Sequence, residues 1–296
     1  MKFKKEELVK SPLNYTGGKF KLLPQILPML PNDIDTFIDL FGGGLNVGVN
    51  VKANKIIYND IEFAIVDLLK EFSKNTSDTV VNKIKYLIDK YDLSKTNKEG
   101  YLKLREYYNK IVNTGKLPDW DIFYTLICYA FNNQIRFNSK GEYNMPFGTN
   151  RSSFNPTLEN RLIKFVDKLN ELDIEFFSKD FTELSDSFCF SSNDFVYCDP
   201  PYLVTCATYN EQGGWNEAKE RQLLDMLDNL NSRGIRFALP NVLENKGKKN
   251  DMLTKWIEDN KDKYKVHYLN ISYGNCNYHA KDKSNNNTVE VLITNY

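Results

Sequence analysis

Short apolar runs alternate with amphipathic stretches along most of the chain. Runs at 36–41, 55–59, 174–178, 194–198, 235–239, 266–271 and 289–294 are rich in Ile, Val, Leu, Phe and Tyr and end on glycine, proline or polar residues. That pattern predicts buried strands. Between them, apolar positions recur at helical spacing over 63–74, 157–172 and 216–233, the last with Asn216 as its N-cap. The charged, lysine-rich connector 243–262 contains one more helix. Residues 19–30 are amphipathic but interrupted by Pro24 and Pro28, and 45–49 begin a helix behind three glycines. Strand alternating with helix predicts an α/β fold.

The rhythm stops between 76 and 156. Helical patterns at 80–91, 101–112 and 121–131 follow one another with no convincing parallel strand, which predicts an inserted, mainly helical subdomain. Its end, 131–148, alternates polar and aromatic residues on both sides of Ser139-Lys140-Gly141, a hairpin signature with Gly141 suited to positive φ. Arg pairs bidentately with guanine and Asn with adenine, so Arg136, Asn138 and Asn144 are candidate base readers. For this segment alone a polar surface hairpin is the plainer reading. The runs 266–271 and 289–294, separated by the Asn- and Lys-rich 274–288, predict a terminal hairpin on the sheet edge. Residues 203–215 read as a loop able to close over a substrate.

The candidate chemistry lies where predicted strands stop. The run 194–198 ends in Asp199-Pro200-Pro201-Tyr202, a stiff turn presenting a carboxylate, bare carbonyls and a flat ring. In open α/β sheets ligands bind at that rim. Hydrogen bonds to Asp199 and to the Pro200 carbonyl would orient a planar exocyclic amine and localise its lone pair, with Tyr202 stacked on the ring. On its own the tetrapeptide serves equally as a rigid turn. The first strand ends in Gly42-Gly43-Gly44, a nucleotide-binding type of turn that does not follow G-x-G-x-x-G. Asp60, closing the second strand, is placed to hold a ribose diol. Asp180-Phe181 can hold an adenine by carboxylate and ring, or Asp180 caps the next turn. Gly17 and Gly18 precede Lys19 in a turn that either approaches a ligand closely or caps a helix.

Composition narrows the classes. The chain has 296 residues, formal net charge zero, 18 Tyr and 19 Phe. The length fits one large domain or a core with an insertion. Zero net charge argues against a surface coated in basic residues but not against a local nucleic-acid patch. Five cysteines, at 128, 189, 198, 206 and 276, form no Cys-x-x-Cys pair, and there are two His. No metal site is expected, and reduced thiols suit a cytoplasmic protein. The charged N-terminus leads to no long apolar stretch, so neither signal peptide nor membrane span is expected.

Four motifs in this order resemble the Dam-like, D12 class of DNA adenine-N6 methyltransferases in its α-group arrangement. They are Tyr15-Thr16-Gly17-Gly18-Lys19, Asp39-Leu40-Phe41-Gly42-Gly43-Gly44, the stretch from Arg136-Phe137-Asn138 to Asn144-Met145-Pro146-Phe147-Gly148, and Asp199-Pro200-Pro201-Tyr202. The resemblance covers nearly the whole chain. It implies a Rossmann-like, seven-stranded methyltransferase sheet (1–75 and 157–296) with a target-recognition insert at 76–156 carrying the hairpin. It implies S-adenosyl-L-methionine as methyl donor, with no metal. Tyr15, Gly17, Gly18 and Lys19 would line the donor's methionine end, with Asp39, Phe41, Gly42 and Gly44 beside it. Asp60 would hold the ribose, and Asp180 and Phe181 the adenine. Asp199, Pro200, Pro201 and Tyr202 would hold a target adenine flipped from duplex DNA. Asn14, Phe131, Asn132, Arg136, Asn138, Asn144 and Pro146 would meet the DNA. A monomeric enzyme acting on double-stranded DNA, with a cognate restriction endonuclease as a further partner, completes the expectation.

The chain departs from the Dam pattern at Asn14, where that pattern has lysine, and at Asn150, where it has tyrosine, so GATC specificity is not carried over. The flanks of Arg136 and Asp199 are closer to restriction-associated relatives such as the EcoRV methyltransferase. Cytosine-N4 methylation uses the same amine chemistry, often with Ser-Pro-Pro-Tyr, so the aspartate favours adenine. A catalytically silent DNA-binding protein would not need intact donor and catalytic motifs. A nicotinamide oxidoreductase finds no hydride-transfer site here.

Overall fold

The computed structural model describes residues 7–15, 17–183, 191–205, 214–270 and 288–296. In chain order the strands are β1 (Thr36–Asp39), β2 (Lys55–Asn59), β3 (Ile174–Phe177), β4 (Phe195–Tyr197), β5 (Arg236–Asn245), β6 (Lys248–Lys249), β7 (Lys265–Leu269) and β8 (Thr288–Thr294). The helices are α1 (Leu23–Ile26), α2 (Phe63–Phe72), α3 (Ser77–Lys90), α4 (Lys98–Val112), α5 (Trp120–Tyr129), α6 (Pro156–Leu169), α7 (Glu217–Ser232) and α8 (Asp251–Asp259).

One sheet organises the chain, in the order β3-β2-β1-β4-β5-β8-β7, with the short β6 paired to β5. The five strands from β3 to β5 run parallel; β8 is antiparallel to both β5 and β7. Side-chain alternation buries both faces of the parallel part. Ile57, Ile38, Val196 and Phe237 point to one side, where α7 and α8 pack. Ile56, Phe37, Phe195 and Ala238 point to the other, against the turns of 22–30. Helices α2 to α6 share a third continuous apolar cluster. Asn216 caps α7 as expected, accepting from the Lys219 amide.

Four expectations change. The 19–30 stretch is a string of single turns around α1, because Pro24 and Pro28 lack amide donors. No α-helix starts at 45–49: Leu45 adopts φ 57°, outside the right-handed helical region, and one 3-10 turn follows at Gly48–Asn50. Strand β5 runs six residues past the expected 239, because beyond a bulge at Val242/Glu244 it still pairs with Thr288 and Val289. The 131–148 hairpin is held by isolated bridges, Ala130 to Phe147 and Phe137 to Tyr143, rather than by continuous strands. The expected terminal hairpin is present as β7 and β8. Most of the loop expected at 203–215, and nearly all of 274–288, lie outside the described residues, as do Cys189, Cys206 and Cys276. Cys128 and Cys198 are buried free thiols.

Candidate active site

Four carboxylates stand at or just past the carboxyl ends of four adjacent parallel strands: Asp180 after β3, Asp60 after β2, Asp39 ending β1, and Asp199 after β4. Strand order reverses at β1, and ligands bind at such a switch point.

Asp199 is the centre of this rim. The Cys198 amide still donates to Ala238, but Pro200 and Pro201 have no amide hydrogen and the ladder ends. Asp199 Oδ1 accepts from Lys19 Nζ at 2.8 Å and from the Tyr202 hydroxyl at 3.0 Å. Lys19 is buried, donates also to the Gly17 carbonyl at 2.7 Å, and sits 4.8 Å from the Tyr202 ring centroid. Burial pushes the Asp199 carboxyl upward; the Lys19 ammonium and the Tyr202 hydroxyl oppose that. Burial, with Asp199 and Glu290 nearby, holds the Tyr202 hydroxyl well above its ordinary range, so it stays a donor.

The glycine turn lies alongside. Gly43 has φ 48°, and a Cβ on Gly42 would enter the Tyr58 ring, so this backbone needs glycine. Asp60 accepts from the Gly43 and Glu62 amides, each at 2.9 Å, fastening the turn to β2. Each of its oxygens keeps a lone pair for a ligand. The Tyr58 hydroxyl donates to the Gly43 carbonyl, and the Tyr15 ring packs against Gly43. Asp39 is buried, and its Oδ2 has no hydrogen-bond partner. Burial, then the Asp199 charge, pushes its carboxyl up to about 8.

Phe41, Phe181 and Trp215 form an aromatic triangle with centroids 5.4–5.6 Å apart. Trp215 donates to the fully buried Glu220, which also accepts from Asn241 and Asn250. Asp180 Oδ1 accepts from the Thr182 amide and hydroxyl, so its capping role is present; Oδ2 lies 3.9 Å from Lys219.

The expected DNA-facing residues gather at 130–151. Phe131 is exposed with the Arg151 guanidinium over its ring, and Asn132 and Asn133 both adopt positive φ. Asn14 donates to the Asn132 carbonyl at 2.7 Å. Arg136 donates to the side chain and carbonyl of Asn144. Asn138 accepts from the Lys140 and Glu142 amides and builds the turn, while the exposed Pro146 accepts from the Phe131 amide. Among the described residues no group of His, Cys, Asp and Glu is arranged to hold a metal ion, and no helix is long and apolar enough to cross a membrane.

Sequence reasoning missed Glu290, Trp215, Glu220 and the pair Asn46 and Asn50. These two asparagines clamp the backbone of Ser11 and Val9, behind the Tyr15 turn. A lone acid within the apolar run of β8 and a lone Asn within 45–49 were the available signals.

A sheet in this order, with the antiparallel β8 lying between β5 and β7 and a glycine turn after β1, is a methyltransferase-type fold. The chain belongs to the D12 class N6 adenine-specific DNA methyltransferase family, whose model matches residues 15–288. It is 47% identical over 299 residues to the type II methyltransferase M.FokI of Planomicrobium okeanokoites, covering 100% of this chain and 44% of that protein. It is 44% identical to the modification methylase StsI of Streptococcus sanguinis, covering 98% of this chain and 43% of that one. The DNA adenine methylase of Salmonella typhi is 28% identical over 235 residues, covering 77% of this chain and 79% of that protein. The chain thus spans less than half the length of the first two relatives.

Proposed function

We propose that the chain is a site-specific DNA adenine-N6 methyltransferase using S-adenosyl-L-methionine and acting on double-stranded DNA. The observation that carries this reading is Asp199-Pro200-Pro201-Tyr202 at the end of β4, beside the glycine turn of β1. A flipped adenine has two N6 hydrogens; Asp199 accepts one and the Pro200 carbonyl the other, with Tyr202 against the ring. These acceptors orient the amine and draw its lone pair out of the ring.

The residues present fit the donor. Asp39, buried with an unpartnered oxygen, suits a cationic ligand, and the backbone of Gly17, Gly18, Gly42 and Gly44 admits close approach. Tyr15, Lys19 and Phe41 border that end, Asp60 the ribose, and Asp180 and Phe181 the adenine. When bound, the donor supplies an electrophilic methyl group on a sulfonium. Held by Asp199 and the Pro200 carbonyl, N6 would be placed to take that methyl group in line with the carbon–sulfur bond, whose electron pair would stay on sulfur, and would release one proton to solvent. No acid as strong as a metal is needed, because alignment supplies most of the help.

In this reading 76–156 is the target-recognition insert, and Asn14, Phe131, Asn132, Arg136, Asn138, Asn144 and Pro146 face the duplex. The enzyme works as a cytoplasmic monomer. Its resemblance to type II and modification methylases supports pairing with a restriction endonuclease. The test is mass spectrometry of nucleosides from plasmid DNA of cells expressing the chain. N6-methyladenine is expected; N4-methylcytosine in its place, or no modified base, overturns the reading.

A further inference from the structure

Both groups that bind Asp199 have a second acceptor within reach. Glu290, on β8, is buried, with Oε1 3.3 Å from the Tyr202 hydroxyl and 3.9 Å from Lys19 Nζ. Tyr202 and Lys19 now converge on Asp199 Oδ1, the side chain meant to accept from an adenine amine. An ammonium on that oxygen withdraws the electron density on which a neutral N–H donor depends. Charge-assisted N–H···O bonds settle at about 2.7–2.9 Å, so a shift of Lys19 by about 1 Å completes a bond to Glu290. Lys19 can make that shift while keeping the Gly17 carbonyl, because an ammonium has three donors.

We propose that Glu290 is a positioning residue of the methyl-transfer site, the second acceptor that draws Lys19 and Tyr202 off Asp199 when the target amine arrives. The inference rests on the reading of Asp199 as the amine's acceptor. Glu290 lies just beyond the residues matched by the family model. It reaches the rim because β8 inserts beside β5, with Glu290 opposite Val242 and Leu269.

The test uses Glu290→Gln, Glu290→Asp and Asp199→Asn in the full chain, with a duplex carrying the site mapped from methylated plasmid. The single-turnover methylation rate, the donor KM, duplex affinity and the fluorescence of 2-aminopurine at the target position are compared. 2-Aminopurine has no amine at the 6-position, so it reports flipping without the Asp199 clamp. For Glu290→Gln the transfer rate is expected to fall by about ten- to a hundredfold. Donor KM, duplex affinity and the 2-aminopurine signal stay unchanged, and Glu290→Asp recovers part of the rate. An unchanged rate in Glu290→Gln, or parallel losses in rate, donor and duplex binding with a lowered Tm, overturns the inference. If Asp199→Asn keeps the parent rate, the reading of Asp199 itself fails. If Asp199→Asn is inactive and Glu290→Gln is fully active, only the role of Glu290 falls.

Discussion

The rim around Asp199 and the turn around Arg136 use polar side chains in opposite ways. At the rim, Lys19, Asp39, Asp60 and Glu290 are buried, carboxylates outnumber cations, and burial pushes Asp39, Asp60 and Asp199 upward. At the turn, Arg136 is exposed and hydrogen-bonded to Asn144, one bond going to its side chain and one to its carbonyl. Buried charges are costly to leave unpaired, so a rim cation moves only between acceptors already facing it, whereas exposed internal hydrogen bonds exchange with solvent at little net change. The rim is therefore preorganised for one chemistry, and the turn is a set of donors and acceptors that can be re-aimed.

The largest break in that contrast is Asp199→Ala. Methylation is expected to disappear, because the amine loses its charged acceptor, while donor binding and the fold persist. Removing the carboxylate leaves Lys19 close to Glu290 and the Gly17 carbonyl, so the buried ammonium keeps partners. Calorimetric donor binding together with a radiolabelled methyl-transfer assay checks both halves; retained turnover would refute the role of Asp199.

Asp39 tests whether the rim carries electrostatic tension before any ligand binds. Its folded pKa of about 8 lies above the ordinary carboxylate value of about 3.9. Across that interval the folded chain holds a proton that the unfolded chain has released. This contribution to stability is complete below about pH 4 and is lost as pH rises through about 8. Asp39→Asn is expected to flatten the fall of Tm between those limits and to melt above the parent at pH 8. Thermal melts across a pH series read it, and an unchanged slope would mean that the carboxyl is already ionised in the fold.

The strand ends were legible because Asp60, Asp180 and Asp199 close or follow short apolar runs bounded by turn residues, and Pro200-Pro201 marks where the ladder must stop. Asp39 lies inside its apolar run, rather than at the strand end it occupies in the fold. The helix expected after the glycines was not, because Leu45 takes a left-handed conformation that its local sequence does not demand. The length of β5 depends on a partner strand more than forty residues away, and the 131–148 stretch is held by turns that alternation alone cannot tell from strands. Glu290 and the Trp215–Glu220 pair were hidden for a related reason. Their meaning comes from tertiary placement: β8 inserted beside β5, and one face of α7 turned toward the Phe41 and Phe181 rings. Spacing reported which chemistry belongs at the rim, and packing decided which side chains hold it in place.

Arg136 sharpens the other side of the comparison. If its guanidinium leaves Asn144 to read a base, Arg136→Ala lowers discrimination at one base pair by about 1–3 kcal/mol and leaves other positions unchanged. Methylation rates on a panel of singly substituted duplexes measure this. A uniform loss across the panel would make Arg136 a phosphate contact.

The smallest expected effect asks whether the two regions act independently. Asn14 precedes Tyr15, whose ring packs against Gly43 at the rim, yet its side-chain amide donates to the carbonyl of Asn132, beside the exposed Phe131. Both groups are exposed, so the bond contributes about 0.5–1.5 kcal/mol at most. Asn14→Ala is expected to lower Tm slightly and to weaken duplex binding severalfold, because Asn132 is held at φ 54° partly by this bond. Donor affinity in the absence of DNA should not move. Combined with Arg136→Ala, the losses in duplex binding should add if rim and turn are separate devices. A double variant that binds DNA no more weakly than Arg136→Ala alone would show that Asn14 acts by holding the reading turn in position.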